Sequence, residues 1–121
     1  MNGRWQLLIV AWMLVCAGVL LPVAAVRADK VNGKIMGPTN CNLLDKSGTV
    51  VIKVFDANDK LVTMTTAGTN GSYNLSWDAS QLPANKTVSL QYYRNNVSKL
   101  TVPDVNGAAG VTETLDECVP N

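Results

Sequence analysis

Between Lys30 and Leu115 the apolar side chains recur at every second residue, in short runs separated by turn formers. That period turns one side of a strand toward a core and the other toward water, and it cannot wind into an amphipathic helix. The run Lys30–Met36 sets Val31, Gly33 and Ile35 on one face and breaks at Gly37-Pro38-Thr39-Asn40. Thr49–Phe55 carries Val50, Ile52 and Val54 on one side and Val51, Lys53 and Phe55 on the other. Apolar residues on both sides predict a central strand. A turn at Asp56-Ala57-Asn58-Asp59 returns the chain through Lys60–Thr66 as a hairpin, and Thr69-Asn70-Gly71 turns it again into Ser72–Trp77. Asp78–Pro83 reads as a cap with one helical turn at most, since Pro83 stops it. Thr87–Tyr93 points Val88, Leu90 and Tyr92 inward and Ser89, Gln91 and Tyr93 outward. Val97–Val102, ended by Pro103-Asp104, and a weaker Val111–Leu115 complete the series. Seven short strands spaced about ten residues apart predict an all-β, antiparallel, immunoglobulin-like β-sandwich.

The N-terminus has another character. Arg4 follows the amino terminus, and Leu7 to Val26 contains no charged residue. Pro22 interrupts that run, and Val26 and Ala28 stand at the −3 and −1 positions of a cleavage site. Positive, apolar and small-residue segments in this order read as a secretory signal helix. The expected division is residues 1–28 as signal peptide and 29–121 as one β-sandwich domain beginning at Asp29. The alternative is an uncleaved membrane anchor, because about 20 apolar residues can span a bilayer. Cys16, preceded by Leu14-Val15, reads as an apolar residue of the signal and not as a lipid-attachment site.

Export changes how the rest is read. Residues 29–121 hold eight basic and nine acidic side chains, a net charge of −1 that steers the domain to neither nucleic acid nor an anionic membrane. They retain two cysteines, Cys41 and Cys118, and an even pair in an oxidising compartment predicts a disulfide.

The chain contains no histidine, which removes the commonest general base and metal ligand together. Neither GxSxG nor SxxK occurs, and two separated cysteines with carboxylates make a poor zinc set. The expectation is a non-enzyme without metal or other cofactor. Asp56-Ala57-Asn58-Asp59 is oxygen-rich but lacks the glycine and distal glutamate of a calcium loop, so it reads as a turn whose side chains bond their own backbone. Asn70, Asn74, Asn85 and Asn96 each begin an N-x-S/T segment. For binding, Trp77 and Tyr92 fall on inward faces. Tyr93 with Arg94, before the turn Asn95-Asn96, is the candidate contact patch. Val111–Leu115 or Lys30–Met36 is the expected free edge for strand addition.

Val31-Asn32-Gly33-Lys34-Ile35, the run Val50 to Thr63 and Thr69-Asn70-Gly71-Ser72-Tyr73-Asn74-Leu75 together resemble a known group. They are similar to the carboxypeptidase-regulatory-like, transthyretin-like domains and the B-type repeats of bacterial surface adhesins, over residues 31–102. The resemblance implies a seven-stranded sandwich serving as spacer, adhesin module or accessory domain, without catalysis of its own. Some adhesin repeats carry a Lys–Asn isopeptide bond; Lys34 and Asn106 lie in suitable early and late segments, and a Cys41–Cys118 bond is the alternative staple.

The expected function is a non-catalytic exported module with a structural, adhesive or protein-interaction role at the cell surface or in the periplasm. Its partner is then a protein or surface assembly, and a membrane only if the N-terminal segment stays attached. A carbohydrate-binding module using Tyr93 is one alternative. A small regulatory or inhibitory subunit of an exported enzyme is another.

Overall fold

The computed structural model describes residues 28–121. The signal or anchor expected over residues 1–28 therefore lies, save for Ala28, outside the described residues. The described chain contains eight strands and one 3-10 turn: β1 (Ala28–Met36), β2 (Val51–Asp56), β3 (Leu61–Thr66), β4 (Ser72–Asp78), the turn Ala79–Gln81, β5 (Thr87–Arg94), β6 (Val97–Asn106), β7 (Thr112–Thr114) and β8 (Glu117–Cys118).

They form two sheets. One is antiparallel in the order β3-β2-β5-β6; the other runs β4-β1-β7, with β8 also paired to β1. The doubly apolar β2 is central, as its sequence predicts. β1 is central as well, between antiparallel β4 and parallel β7 and β8, which corrects the expectation that Lys30–Met36 lies at an edge. Alternation describes the two faces of a strand and is silent about its neighbours in the sheet.

Eight strands replace seven because the C-terminal segment meets β1 twice. At the break Leu115 donates its N–H to the Asn32 carbonyl at 2.8 Å, and the Asp116 Oδ1 accepts from the Lys34 amide at 2.9 Å. Side-chain oxygen thus stands in for a ladder carbonyl between β7 and β8. The approach is so close that a Cβ on Gly33 would lie 1.8 Å from the Leu115 oxygen. β6 likewise outruns its expected end at Pro103-Asp104 and reaches Asn106. Its pairing shifts between Val88–Val105 and Leu90–Val102, and Asp104 adopts φ 57°. β6 is an edge strand, where proline's missing N–H costs no ladder bond.

The inward faces of the two sheets make one core. Val31, Ile35, Ile52, Val54, Leu90, Tyr92 and Val119 are fully buried in it, with Tyr73, Leu75 and Trp77 nearly so. Rings Tyr73 and Tyr92 meet edge to face at 5.9 Å, from opposite sheets. Their hydroxyls lie 2.8 Å apart, and Tyr73 donates to the Leu115 carbonyl at 2.6 Å. The Trp77 indole N–H donates to the Gly107 carbonyl at 3.3 Å. Each buried aromatic polar group therefore has a partner, as a dry core requires.

The turns follow their chemistry. Asp56 Oδ1 accepts from the amides of Asn58 at 2.8 Å and Lys60 at 3.0 Å, which makes 56–59 a self-bonded turn. Asn70 Oδ1 accepts from the Ser72 amide at 2.9 Å, and Gly71 supplies the φ of 80° that the turn needs. Asp78 caps the 3-10 turn through the Ser80 amide at 3.0 Å.

Candidate functional site

Cys41 and Cys118 are joined by a disulfide, with their Cα atoms 5.4 Å apart and a sequence separation of 77. The bond ties the loop after β1 to the last strand. Around it the tail is held a second time. Arg94 donates through Nε to the Pro120 carbonyl at 2.9 Å and through one terminal nitrogen to the Val119 carbonyl at 2.8 Å, and it pairs with the Asp45 carboxylate.

This disposes of Arg94 as a surface contact. It is the last residue of β5 and is buried, on the inward side opposite Tyr93. Neighbours on a strand point to opposite faces, so Tyr93 and Arg94 cannot share a patch unless the strand breaks between them. The expected Tyr93–Arg94 patch is corrected accordingly: Arg94 clamps the C-terminus, and Tyr93 alone remains outside.

Tyr93 has other companions. It pairs with Val51 across the sheet, while Lys53 pairs with Gln91 and with Met64. The Lys53 ammonium sits 4.5 Å from the centre of the Tyr93 ring, and the Tyr93 hydroxyl donates to Gln91 Oε1. Stacked ammonium and bonded hydroxyl hold the ring in one orientation. Further along, Phe55 pairs with Leu61 and Ser89. Leu61 and Met64 are 46% and 49% exposed. The outer face of β3, β2 and β5 thus presents Leu61, Met64, Phe55, Val51 and Tyr93 among Thr66, Ser89 and Gln91, with Lys53 as its one charge.

The outer face of the other sheet is more polar. Ser72, Asn74 and Ser76 of β4 stand beside Lys34, Asn32 and Lys30 of β1, followed by Thr114 and Thr112 of β7. A shallow cleft of about 340 Å³ runs over Asn32, Lys34, Ser72, Asn74, Thr114 and Asp116. One sheet faces outward with amides, hydroxyls and lysines, whereas the other interleaves its polar groups with aromatic and aliphatic ones.

Lys34 and Asn106, the isopeptide candidates, are both exposed and belong to different sheets. Asn70, Asn74, Asn85 and Asn96 are exposed too. Among the described residues no three carboxylate or thiolate side chains converge to hold a metal ion.

The sequence singled out Tyr93 but missed the grouping around it. The signal was present in the doubly apolar β2, whose second face, Val51, Lys53 and Phe55, is the middle of this surface.

No protein-family profile matches the chain, and neither does any characterised protein searched by sequence. Among solved structures the fold is similar to a "putative carbohydrate binding protein" from Bacteroides uniformis, with 18% identity and a TM-score of 0.50 over 75% of this chain and 40% of that one. A 9R-lipoxygenase from Cyanothece is a fainter likeness, with 14% identity and a TM-score of 0.47 over 78% of this chain and 17% of that one. This chain spans less than half the length of either, and what the first of them shares with it is an all-β sandwich fold.

Proposed function

We propose that this chain is a non-catalytic, exported β-sandwich module that works by contact, through the outer face of β3, β2 and β5. The observation that carries the reading is the asymmetry of the two outer faces. A solvated sheet face needs only polar residues, as β4, β1 and β7 provide. Leu61, Met64, Phe55 and Val51 beside an oriented Tyr93 exceed what solvation asks and resemble the apolar, aromatic centre of an interaction patch. The Cys41–Cys118 disulfide supports export, since such bonds persist in oxidising compartments. The transthyretin-like resemblance supports a spacer, adhesive or accessory role in a surface or periplasmic assembly.

Sedimentation of the oxidised protein tests the reading. Self-association, or binding to a purified envelope partner, that Met64→Lys or Tyr93→Ala weakens at least tenfold without moving the unfolding midpoint is the expected result. Contacts indifferent to both substitutions overturn it.

A second reading is carbohydrate binding, favoured by the likeness to the Bacteroides protein and by the Tyr93 ring, which can stack on a sugar. Glycan-array binding lost in Tyr93→Ala supports it; an array without signal rejects it and leaves the first reading standing.

A further inference from the structure

Asp29 lies at the start of β1, and it is 1% exposed. Its Oδ1 accepts from the Val111 amide at 3.2 Å, but its Oδ2 is buried and has no hydrogen-bond partner among the described residues. The other buried acids are provided for. Asp45 has Arg94 and the Ser47 amide, and Asp56 has two amides. The single ion pair among the described residues is Arg94–Asp45, so no lysine or arginine there answers Asp29. A carboxylate oxygen shut away from water without a donor is strongly disfavoured, and a partner is expected.

Under the export reading, on which this inference rests, the partner is made at the same residue. Val26 and Ala28 place the cut of a signal peptidase between Ala28 and Asp29. In that hydrolysis water adds across the Ala28–Asp29 peptide bond. The Ala28 carbonyl carbon takes the oxygen and leaves with the signal as a carboxylate. The Asp29 nitrogen takes both protons of the water and becomes an α-ammonium. That nitrogen is three bonds from the Asp29 carboxyl carbon, so the new cation cannot be far from the unanswered oxygen.

We propose that Asp29 is the mature N-terminus and that its α-ammonium is the charge partner of its own buried carboxylate, so that processing completes the first strand. The uncut chain offers one amide N–H at this position, committed to the backbone; the cut chain offers three donors and a full charge. Ala28 pairs with Asp78 in β1, so the bond to be cut lies inside the folded sheet. Cleavage therefore precedes docking of β1, and the finished domain receives its cation as it closes.

The test compares oxidised chains beginning at Asp29 and at Ala28, each with and without Asp29→Asn, by denaturant unfolding at pH 7. The chain starting at Asp29 is expected to have a folding constant at least tenfold above the chain starting at Ala28, and Asp29→Asn is expected to erase that difference. Equal constants for the two starts, or a difference that survives Asp29→Asn, overturn the pairing. Should Asp29→Asn not fold, the N-acetylated chain beginning at Asp29 takes its place. It keeps the residues and removes the charge, and it should fall to the level of the Ala28 chain; no fall overturns the proposal. Mass analysis of the exported protein is read separately. A start at Asp29 with equal folding constants sinks the charge pairing and leaves export intact, whereas a start elsewhere sinks the cleavage site itself.

Discussion

The guanidinium of Arg94 and the carboxylate of Asp45 are paired inside the protein, their side chains 9% and 4% exposed. Arg94 also holds the carbonyls of Val119 and Pro120, so one cation joins the end of β5, the loop after β1 and the C-terminus. Removing one member of a buried pair strands the other. Arg94→Met or Asp45→Leu alone should cost about 3–5 kcal/mol. The double substitution should cost less than either single one, because no charge is left behind. Denaturant unfolding of the three variants checks this, and a double variant as unstable as the sum of the singles would refute it.

The same pair makes the domain acid-sensitive. Burial pushes the Asp45 carboxyl up, but donors from Ser47 and the neighbouring Arg94 outweigh it and leave its pKa below the ordinary carboxylate value. A depressed folded pKa contributes stability that is present above the unfolded value, about 3.9, and is lost as pH falls through the folded one. The unfolding midpoint should therefore drop below about pH 4, and Asp45→Asn should flatten that limb of the pH profile.

The buried tyrosines act at the other end of the scale. Burial pushes the Tyr73 hydroxyl up to about 12, and it pushes Tyr92 up further, with Tyr73 beside it adding to the effect. A raised phenol pKa contributes stability that is present below the unfolded value, about 10, and is lost as pH rises toward the folded one. A Tyr93→Phe variant, in which only these two tyrosines remain, should show flat phenolate absorbance up to about pH 11 and then ionise together with unfolding. Absorbance rising near pH 10 in the folded protein would contradict the placement of both rings.

Reduction offers a separate measure of the staple. Opening a loop that joins cysteines at a sequence separation of 77 should cost about 4.5 kcal/mol in chain entropy. The guanidinium midpoint should fall on adding reductant, and Cys41→Ser with Cys118→Ser should match the reduced protein. An unchanged midpoint would mean that Arg94 alone secures the tail.

Gly33→Ala is the most damaging small substitution on β1. Its Cβ would stand 1.8 Å from the Leu115 oxygen and 3.1 Å from the Tyr73 hydroxyl, and neither can retreat without breaking their mutual hydrogen bond. A loss of several kcal/mol is expected, read as the absence of folded oxidised protein or a collapsed midpoint. An unperturbed Ala variant would show that β7 and β8 do not close on β1 as described.

Much of this fold is legible in the amino-acid sequence. Alternation located seven of the eight described strands within a few residues, and it sent Tyr92 and Trp77 inward and Tyr93 outward. Pro103 misled the reading of β6, since the cost of a proline depends on whether its strand lies at an edge. Val111–Leu115 looked like one weak strand. The chain continues past it as β8, and that close approach to β1 depends on Gly33, 83 residues before Asp116, having no side chain.

The contact face shows the same boundary. Local order alone determined that this chain makes short two-faced strands, that Cys41 and Cys118 are its one pair after the apolar segment, and that β2 is apolar on both sides. Those properties depend on neighbours within a few residues. Tertiary structure decided what lies across each strand: that Arg94 turns in to Asp45, that Lys53 covers Tyr93, and that Asp29 is buried with one oxygen unanswered. Strand pairing joins residues far apart in the chain, and sequence period carries the face of a side chain but not its partner.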